Sequence, residues 1–227
     1  MLLLLLLILL CIIITQTLTQ EECNNDDKSL IIPLSNKLLD DFTLINYEYL
    51  VDSDYYDQKS GINEYRLYSY LSTFYDNTKI LDIGTLEGRS AIALSYNEAN
   101  VVVSYDIYNH INNDLHKIYT KSNIKFNVKN VLDDLTEDFI KDVKIIMIDI
   151  DHYEIIETKI INRLKELKFS GMVILDDVFN HPDPIIYECM NKLWNNIHDT
   201  KYDVTRYGHS SGTGIIVLND DITFQFE

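Results

Sequence analysis

The chain has 227 residues, a length typical of one domain with short additions. Apolar residues make up 46% of it, enough to bury a sizeable core, which excludes an intrinsically disordered chain. Lys and Arg number 19 against 36 Asp and Glu, so the formal net charge is -17. Because a surface this acidic repels phosphate backbones, we do not expect a nucleic acid as a partner.

The chain begins with an uninterrupted apolar run over residues 1–14. As a helix this run would span about 21 Å, short of the ~30 Å hydrocarbon core of a bilayer. Its length fits the apolar region of a secretory signal, although the basic leader is missing. We predict that residues 1–20 are a signal peptide, or an anchor that attaches the protein to a membrane through residues 1–18. The protein would then enter the secretory pathway, whereas it would be cytoplasmic if the run is not a functional signal.

Three cysteines are too few for a disulfide framework or a cysteine zinc cluster. Cys11 lies in the leading apolar run. Cys23 and Cys189 would pair in an oxidising compartment or stay as free thiols, and the sequence leaves both alternatives open.

Hydrophobic periodicity predicts the elements of the remaining chain in order. Residues 28–75 carry helix-like patterns rich in Tyr and Leu, and apolar residues at 3–4 spacing predict a helix over 62–75. From residue 79, short apolar runs alternate with amphipathic stretches. Strands are predicted over 79–83, 101–106, 124–128, 143–149, 172–175, 202–207 and 214–218. Helices are predicted over 89–96, over 156–167, and after Asp183, which is an N-cap followed by Pro184 in the first turn.

These elements predict an α/β fold. Near-continuous apolar strands separated by helices indicate a parallel sheet covered on both faces. The last two strands are joined by a short Gly/Ser loop without a helix, so they should form an antiparallel hairpin. We therefore expect a Rossmann-like, seven-stranded, mostly parallel sheet with a C-terminal antiparallel hairpin. This domain would cover residues 76–227, behind an N-terminal helical cap over residues 21–75.

The junction between the first strand of the sheet and its helix has the features of a ligand-binding loop. Ligands of open α/β sheets bind beyond the carboxyl ends of the strands, and Gly84 and Gly88 would let the backbone turn sharply there. The dinucleotide pattern G-x-G-x-x-G is absent because Leu86 stands at its second glycine. The acidic Asp82 suits a cationic ligand better than a phosphate, and Asp106 could accept two ribose hydroxyls. Helix–sheet packing alone would give the same D-x-G-x-x-x-G pattern.

Residues 79–95, KILDIGTLEGRSAIALS, resemble the class I S-adenosylmethionine-dependent methyltransferases, in the branch of catechol, sugar and macrolide O-methyltransferases. The resemblance covers roughly residues 62–219. It implies S-adenosyl-L-methionine as the cofactor, with the methionine part over the glycine turn, the ribose on Asp106 and the adenine beside Ile107. The residues that it implies at the cofactor site are Asp82, Gly84, Thr85, Gly88, Ser90, Asp106, Ile107 and Asn130.

A second group of polar residues follows two later strands. Asp149, Asp151 and His152 come at the end of one, and Asp176 and Asp177 at the end of the next. In a parallel sheet both ends emerge at the same edge, where desolvated acids would repel one another. A divalent cation, protonation or solvent exposure would each relieve this repulsion, and oxygen ligands of this kind suit Mg²⁺, Ca²⁺ or Mn²⁺.

The pattern D-x-D-H-Y followed by L-D-D resembles that of the sugar and macrolide O-methyltransferases. The resemblance implies Asp149, Asp176 and Asp177 as ligands of a Mg²⁺ ion that binds the substrate's hydroxyls. The alternative is that these acids cap the following helices and stay solvated.

Methyl transfer is a displacement at a sulfonium methyl, so the protein must position the acceptor and make its oxygen nucleophilic. A metal would lower the pKa of that hydroxyl. The predicted catalytic residues are Asp149 and His152, the latter as an alternative general base. His209 lies in a Gly-rich segment over 208–214 that would be an ordinary hairpin turn, although a contact with substrate is the alternative there and for His181.

The sequence therefore predicts a methyltransferase that acts on an oxygen of a small hydroxylated acceptor. The first alternative is a non-catalytic binding module of the same fold, tethered to a membrane. A nicotinamide oxidoreductase is disfavoured by the missing glycine and by the terminal hairpin.

Overall fold

The computed structural model describes residues 29–42, 59–110 and 123–227. Residues 31–227 are one compact unit. The predicted signal peptide or anchor, Cys11 and Cys23 lie outside the described residues, so those expectations stay predictions. Within the described ranges, no helix is long and apolar enough to cross a bilayer.

The described residues form nine strands and six α-helices. The strands are β1 (Leu30–Leu34), β2 (Lys79–Ile83), β3 (Val101–Asp106), β4 (Ile124–Val128), β5 (Val143–Ile148), β6 (Gly171–Leu175), β7 (Thr200–Asp203), β8 (Gly214–Leu218) and β9 (Ile222–Phe226). The α-helices are α1 (Asn36–Asp40), α2 (Lys59–Ser72), α3 (Arg89–Leu94), α4 (Glu137–Ile140), α5 (Ile155–Glu166) and α6 (Pro184–Asn196). Two short 3₁₀ helices cover Val131–Asp133 and Thr205–Tyr207.

Seven strands form the main sheet in the order β4-β3-β2-β5-β6-β8-β7. The pairs from β4 to β6 are parallel, and β8 is antiparallel to both β6 and β7. The predicted fold class is therefore confirmed. Strands β2, β5, β6 and β8 are almost wholly buried, as expected for a sheet that is covered on both faces. The carboxyl ends of β2, β3, β5 and β6 meet at one edge, where the candidate site lies.

Two parts of the fold differ from the sequence-based expectation. The predicted strand over 202–207 is shifted, because β7 covers Thr200–Asp203 and is followed by a 3₁₀ helix. Strands β1 and β9 were not predicted, and they pair in a separate two-stranded sheet. In β9, Ile222 and Phe224 are buried between exposed neighbours, the alternation typical of a strand with one covered face.

The predicted helix over 62–75 is present as α2, which begins three residues earlier and ends at Ser72. It packs against α3, and the Ser69 hydroxyl donates a hydrogen bond to the Ala93 carbonyl at 3.0 Å. Helix α2 therefore lies against the helix that follows the glycine turn. The predicted boundary between a helical cap and a domain that starts at residue 76 stays a prediction.

Candidate functional site

The turn after β2 is shaped by a close approach of two strand ends. Gly84 has a φ of +106°, and a Cβ added there would lie 1.6 Å from the Asp149 carbonyl oxygen. Gly88, with a φ of +79°, is the N-cap of α3, and its added Cβ would only touch the Phe126 ring at 3.4 Å. Gly84 is therefore required by backbone contact with the end of β5, whereas Gly88 is required mainly by its left-handed conformation.

A chain of buried hydrogen bonds links this turn to β2 and β3. The Ser104 hydroxyl donates to Asp82 Oδ2 at 2.6 Å. Its only hydrogen is used in that bond, so the Thr85 hydroxyl, 2.5 Å away, must donate to Ser104. Burial raises the pKa of Asp82 to about 7, although the hydrogen bond from Ser104 opposes the shift. Sequence reasoning missed Ser104, whose only signal was a polar residue in an apolar strand opposite Asp82 in register.

Asp106, at the end of β3, ties the turn to its own strand. Its Oδ2 accepts the Leu86 N–H at 3.0 Å, and its Oδ1 accepts the Tyr108 N–H at 2.9 Å. Leu86 has a φ of +40°, which is unfavourable for a residue with a side chain. The carboxylate therefore holds the loop in a strained conformation beside the position where a ligand would bind.

A cavity of about 470 Å³ opens beyond these strand ends. This volume lies within the range of small-molecule pockets. Its wall includes six of the predicted site residues: Gly84, Asp106, Ile107, Asn130, Asp149 and His152. Asp82, Thr85 and Ser90 are buried and, like Gly88, do not line this cavity.

The rest of the cavity wall carries both apolar and charged side chains. Ile107 and Tyr108 are more than 60% exposed, which offers an apolar surface to a ligand. The acids on the wall are Asp106, Asp149 and Asp151, and Lys129 also lines it. The ammonium group of Lys129 is paired with Asp134, outside the lining residues. The wall is therefore acidic in balance.

A cluster of carboxylates and imidazoles adjoins the cavity wall at His152. The structure brings Asp176 and Asp177 together with His209, whose Nδ1 is 3.6 Å from Oδ1 of each acid. Asp177 Oδ2 also faces the Nε2 atoms of His152 at 3.4 Å and of His181 at 3.6 Å. Contact with the two acids raises the pKa of His209 to about 11, although burial opposes the shift. His209 therefore carries positive charge that balances two buried acids.

Asp149, the third predicted metal ligand, does not belong to that group of three. Its Oδ1 is 3.1 Å from Nε2 of His152, on the cavity wall. Burial alone would lower the pKa of His152, but the hydrogen bond to Asp149 and the charges of Asp177 and Asp176 raise it to about 9. At neutral pH, His152 is therefore an imidazolium that holds Asp149, and it is not a free base.

The segment over 208–214 is more than an ordinary hairpin turn. Its Gly212 carbonyl accepts the Val178 N–H, and its Ser211 carbonyl accepts the N–H groups of Phe179 and Asn180. These bonds pin the turn to the loop that follows Asp177, and they bring His209 to the end of β6. Contact between segments about 30 residues apart leaves little trace in local sequence, so His209 was named only as an alternative contact.

Helix α2 contributes two residues that sequence reasoning did not single out as functional. Glu64 and Tyr68 are buried, and the Tyr68 hydroxyl donates to Glu64 Oε1 at 2.8 Å. Burial and the negative charge of Asp176 raise the pKa of Glu64 well above its ordinary value. The acid cluster is thus extended towards α2 by a carboxyl group that burial favours in its protonated form.

No protein-family model matches the chain, and no curated protein matches its sequence significantly. Among solved structures, it is similar to the S-adenosylhomocysteine-bound methyltransferase PaMTH1 of Podospora anserina, with a TM-score of 0.54 at 14% identity. That match covers 91% of this chain and 96% of the other.

Two further solved structures show the same likeness. A putative caffeoyl-CoA O-methyltransferase from Staphylococcus aureus has a TM-score of 0.53 at 18% identity, covering 68% of this chain and 82% of its own. Cofactor-bound Rv0187 from MTB has a TM-score of 0.51 at 15% identity, covering 68% and 78%. The chain therefore has the fold of the class I S-adenosylmethionine-dependent methyltransferases, as its glycine turn and strand order predict.

Proposed function

We propose that the protein is an S-adenosylmethionine-dependent methyltransferase that methylates an oxygen of a small hydroxylated acceptor. The observation that carries this proposal is the cavity at the glycine turn, which Gly84 bounds on one side and Asp106 on another. A nucleoside cofactor in that position would meet the carboxylate of Asp106 and the apolar surface of Ile107 and Tyr108.

The charge of the cavity supports a sulfonium ligand over a pyrophosphate. Three acids line the wall, Asp106, Asp149 and Asp151. They outnumber its two cationic side chains, Lys129 and His152, which are paired with Asp134 and Asp149 respectively. An anionic diphosphate would be repelled by such a wall, whereas a cationic sulfur would be attracted to it. This argument disfavours a nicotinamide dinucleotide independently of the missing glycine.

Asp149 and His152 are the residues that we assign to the transfer step. They lie on the cavity wall as a contact pair, so an acceptor hydroxyl would meet both. Because the ion pair keeps His152 protonated, its first task is to orient Asp149 and to balance its charge. The Asp149 carboxylate can then accept a hydrogen bond from the acceptor hydroxyl and align its oxygen with the methyl group. It would take up the hydroxyl proton as the new O–C bond forms and the S–C bond to the methyl group breaks, which leaves S-adenosylhomocysteine.

Assistance by a divalent cation belongs to the same proposal. When bound, a cation lowers the pKa of a coordinated hydroxyl. The sequence-predicted ligands are Asp149, Asp176 and Asp177. Two oxygens of this set, Oδ1 of Asp176 and of Asp177, are buried without a hydrogen-bond partner among the described residues. His209 supplies positive charge to these buried acids, and a cation that displaced the Nδ1 proton of His209 would supply that charge in its place.

Isothermal titration with S-adenosylhomocysteine tests the cofactor assignment. We expect binding by the full chain, and weaker binding by Asp106→Ala by at least about tenfold, since hydrogen bonds to a charged group are worth ~1.5–3 kcal/mol. Asp133→Ala is the matched control, because Asp133 is exposed in the neighbouring 3₁₀ helix and does not line the cavity. If the folded protein does not bind the ligand, the non-catalytic, membrane-tethered module becomes the better hypothesis.

A transfer assay tests the acceptor class. Labelled S-adenosylmethionine is incubated with catechols, sugars and polyols, with and without EDTA. We expect label on an acceptor oxygen, and loss of turnover in EDTA that an added divalent cation restores. Turnover that EDTA does not affect would leave Asp149 and His152 as the complete catalytic set and would remove the cation from the proposal.

A further inference from the structure

We infer that His209 is a direct ligand of the cation site together with Asp176 and Asp177, and that the site takes an imidazole-binding ion such as Mn²⁺, Fe²⁺ or Zn²⁺ in preference to Mg²⁺. The inference deepens the proposed function, on which it rests for the role of the cation. It replaces Asp149 of the sequence-predicted ligand set with a residue from the turn between β7 and β8.

The spacing of the three ligand atoms supports this assignment. His209 Nδ1 lies 3.6 Å from Oδ1 of Asp176 and 3.6 Å from Oδ1 of Asp177. That distance is too long for a hydrogen bond. It is close to the separation, about 3.0–3.6 Å, of neighbouring ligand atoms around one ion with bonds of about 2.0–2.2 Å. The two separations from His209 are therefore those expected of ligands of a shared cation, and all three ligand atoms lie within 4.8 Å of one another.

The two carboxylate oxygens provide an independent observation. Oδ1 of Asp176 and Oδ1 of Asp177 are both buried, and neither has a hydrogen-bond partner among the described residues. The Asp176 side chain is only 7% exposed. An unpartnered buried carboxylate oxygen is costly. Two of them face the same imidazole nitrogen, so an ion that displaces the Nδ1 proton of His209 would be held by all three ligand atoms.

The turn that carries His209 is built to hold it in this place. Gly212 has a φ of +117°, and an added Cβ would lie 2.4 Å from the Phe179 nitrogen. The His209 N–H donates to Thr213 Oγ1 at 2.8 Å, which fixes the backbone of the ligand residue. The Ser211 hydroxyl lies against Nδ1, and it can rotate away when that nitrogen binds an ion. His209 is thus pre-positioned by contacts on both sides.

The ligand types select the ion. Mg²⁺ prefers oxygen ligands and keeps several waters, whereas imidazole nitrogen suits the first-row transition metals. Asp149 is engaged with His152 on the cavity wall. It therefore remains available to the acceptor, and the cation is held by two carboxylates and one imidazole.

Cation binding to the full chain, stripped with a chelator and dialysed, tests the inference. Titration calorimetry with MnCl₂ and with MgCl₂ should show tighter binding of Mn²⁺. Electron spin-echo spectroscopy of the bound Mn²⁺ should show coupling to a directly bound ¹⁴N. His209→Ala should lose Mn²⁺ affinity by more than about tenfold, since even outer-shell changes cost 10–100-fold. His198→Ala, an exposed histidine elsewhere, should bind Mn²⁺ as the wild type does, and so should Asp149→Asn.

Four results would overturn the inference: no cation binding by the folded protein, equal affinity for Mg²⁺ and Mn²⁺, bound Mn²⁺ without nitrogen coupling, or unchanged Mn²⁺ affinity in His209→Ala. The wild-type spectrum tests whether an imidazole binds the ion even where the variant does not fold, and nitrogen coupling that persists in His152→Ala and in His181→Ala assigns the ligand to His209. S-adenosylhomocysteine titrations of the same samples separate the two proposals, because a cofactor failure leaves the ligand set of the cation unaffected.

Discussion

Alanine substitutions at the two glycines of the turn after β2 test how that turn is built. Both glycines have a positive φ, so a Cβ costs about 1–2 kcal/mol of backbone strain at either position. They differ in the space available. At Gly88 the new methyl would only touch the Phe126 ring at 3.4 Å, whereas at Gly84 it would lie 1.6 Å from the Asp149 carbonyl oxygen.

The difference in space sets the expected difference in stability. Gly88→Ala should lower the free energy of unfolding by about 1 kcal/mol. The cost is no larger because the alanine also lowers the conformational entropy of the unfolded chain, which offsets ~0.4–1 kcal/mol of the strain. Gly84→Ala adds an overlap with backbone that cannot rotate away, and overpacking of this kind costs roughly 1–3 kcal/mol or more. We therefore expect Gly84→Ala to lose about 2 kcal/mol more than Gly88→Ala. It should also weaken S-adenosylhomocysteine binding more, since the end of β5 must move.

Urea denaturation gives both free energies of unfolding. The single tryptophan, Trp194, is buried and reports the transition by its fluorescence. Equal losses in the two variants, or a larger loss in Gly88→Ala, would show that β2 and β5 do not approach as closely at Gly84 as the structure indicates. The assignment of Gly84 to the wall of the proposed cofactor site would then fail.

Two further predictions concern the same loop. Burial raises the pKa of Asp82 from 3.8 to about 7, so between these pH values the folded chain holds a proton that the unfolded chain has released. The free energy of unfolding should therefore fall as the pH rises through this range, by up to about 1.4 kcal/mol per pH unit. Asp82→Asn should flatten this slope relative to the wild type in urea titrations across the range, and an unchanged slope would contradict the assignment. Leu86 has a φ of +40°, so the Leu86→Gly variant should be more stable than Leu86→Ala by about 1 kcal/mol. At an ordinary position the order is the reverse. A more stable Leu86→Ala would therefore refute strain at this residue.

Much of the fold was predictable because its signals are local. Buried parallel strands appear as short apolar runs, and the change in pattern at residue 79 marks the start of the main sheet. Strand β1 was missed because Pro33 and a short apolar run resemble the start of a helix or a loop. That strand is confined to a two-stranded sheet, where a proline is tolerated because few ladder bonds are needed.

The meeting of Gly84 and Asp106 at one cavity was predictable for a different reason. Gly84 and Asp106 occupy fixed positions after two neighbouring strands, so topology alone brings them together. Ser104, Glu64 and His209 were not predictable in this way. Ser104 lies inside an apolar strand, Glu64 lies among the tyrosines of α2, and His209 reaches the site through a turn whose docking depends on backbone bonds to residues 178–180.

Backbone strain at the sheet edge connects the two halves of the site. Leu86, His152, Glu154 and Asp177 all have positive φ values without being glycine, at about 1–2 kcal/mol each. Such strain persists only where neighbouring contacts over-determine the conformation. The contacts are visible for three of them: Asp106 accepts the Leu86 N–H, Glu157 accepts the His152 N–H, and Asp177 is faced by three imidazoles. Relaxing Leu86 or His152 would turn a side chain away from the cavity wall, and relaxing Asp177 would turn its carboxylate away from the imidazoles. The strain at these three residues therefore supports the proposed catalytic site over a non-catalytic module.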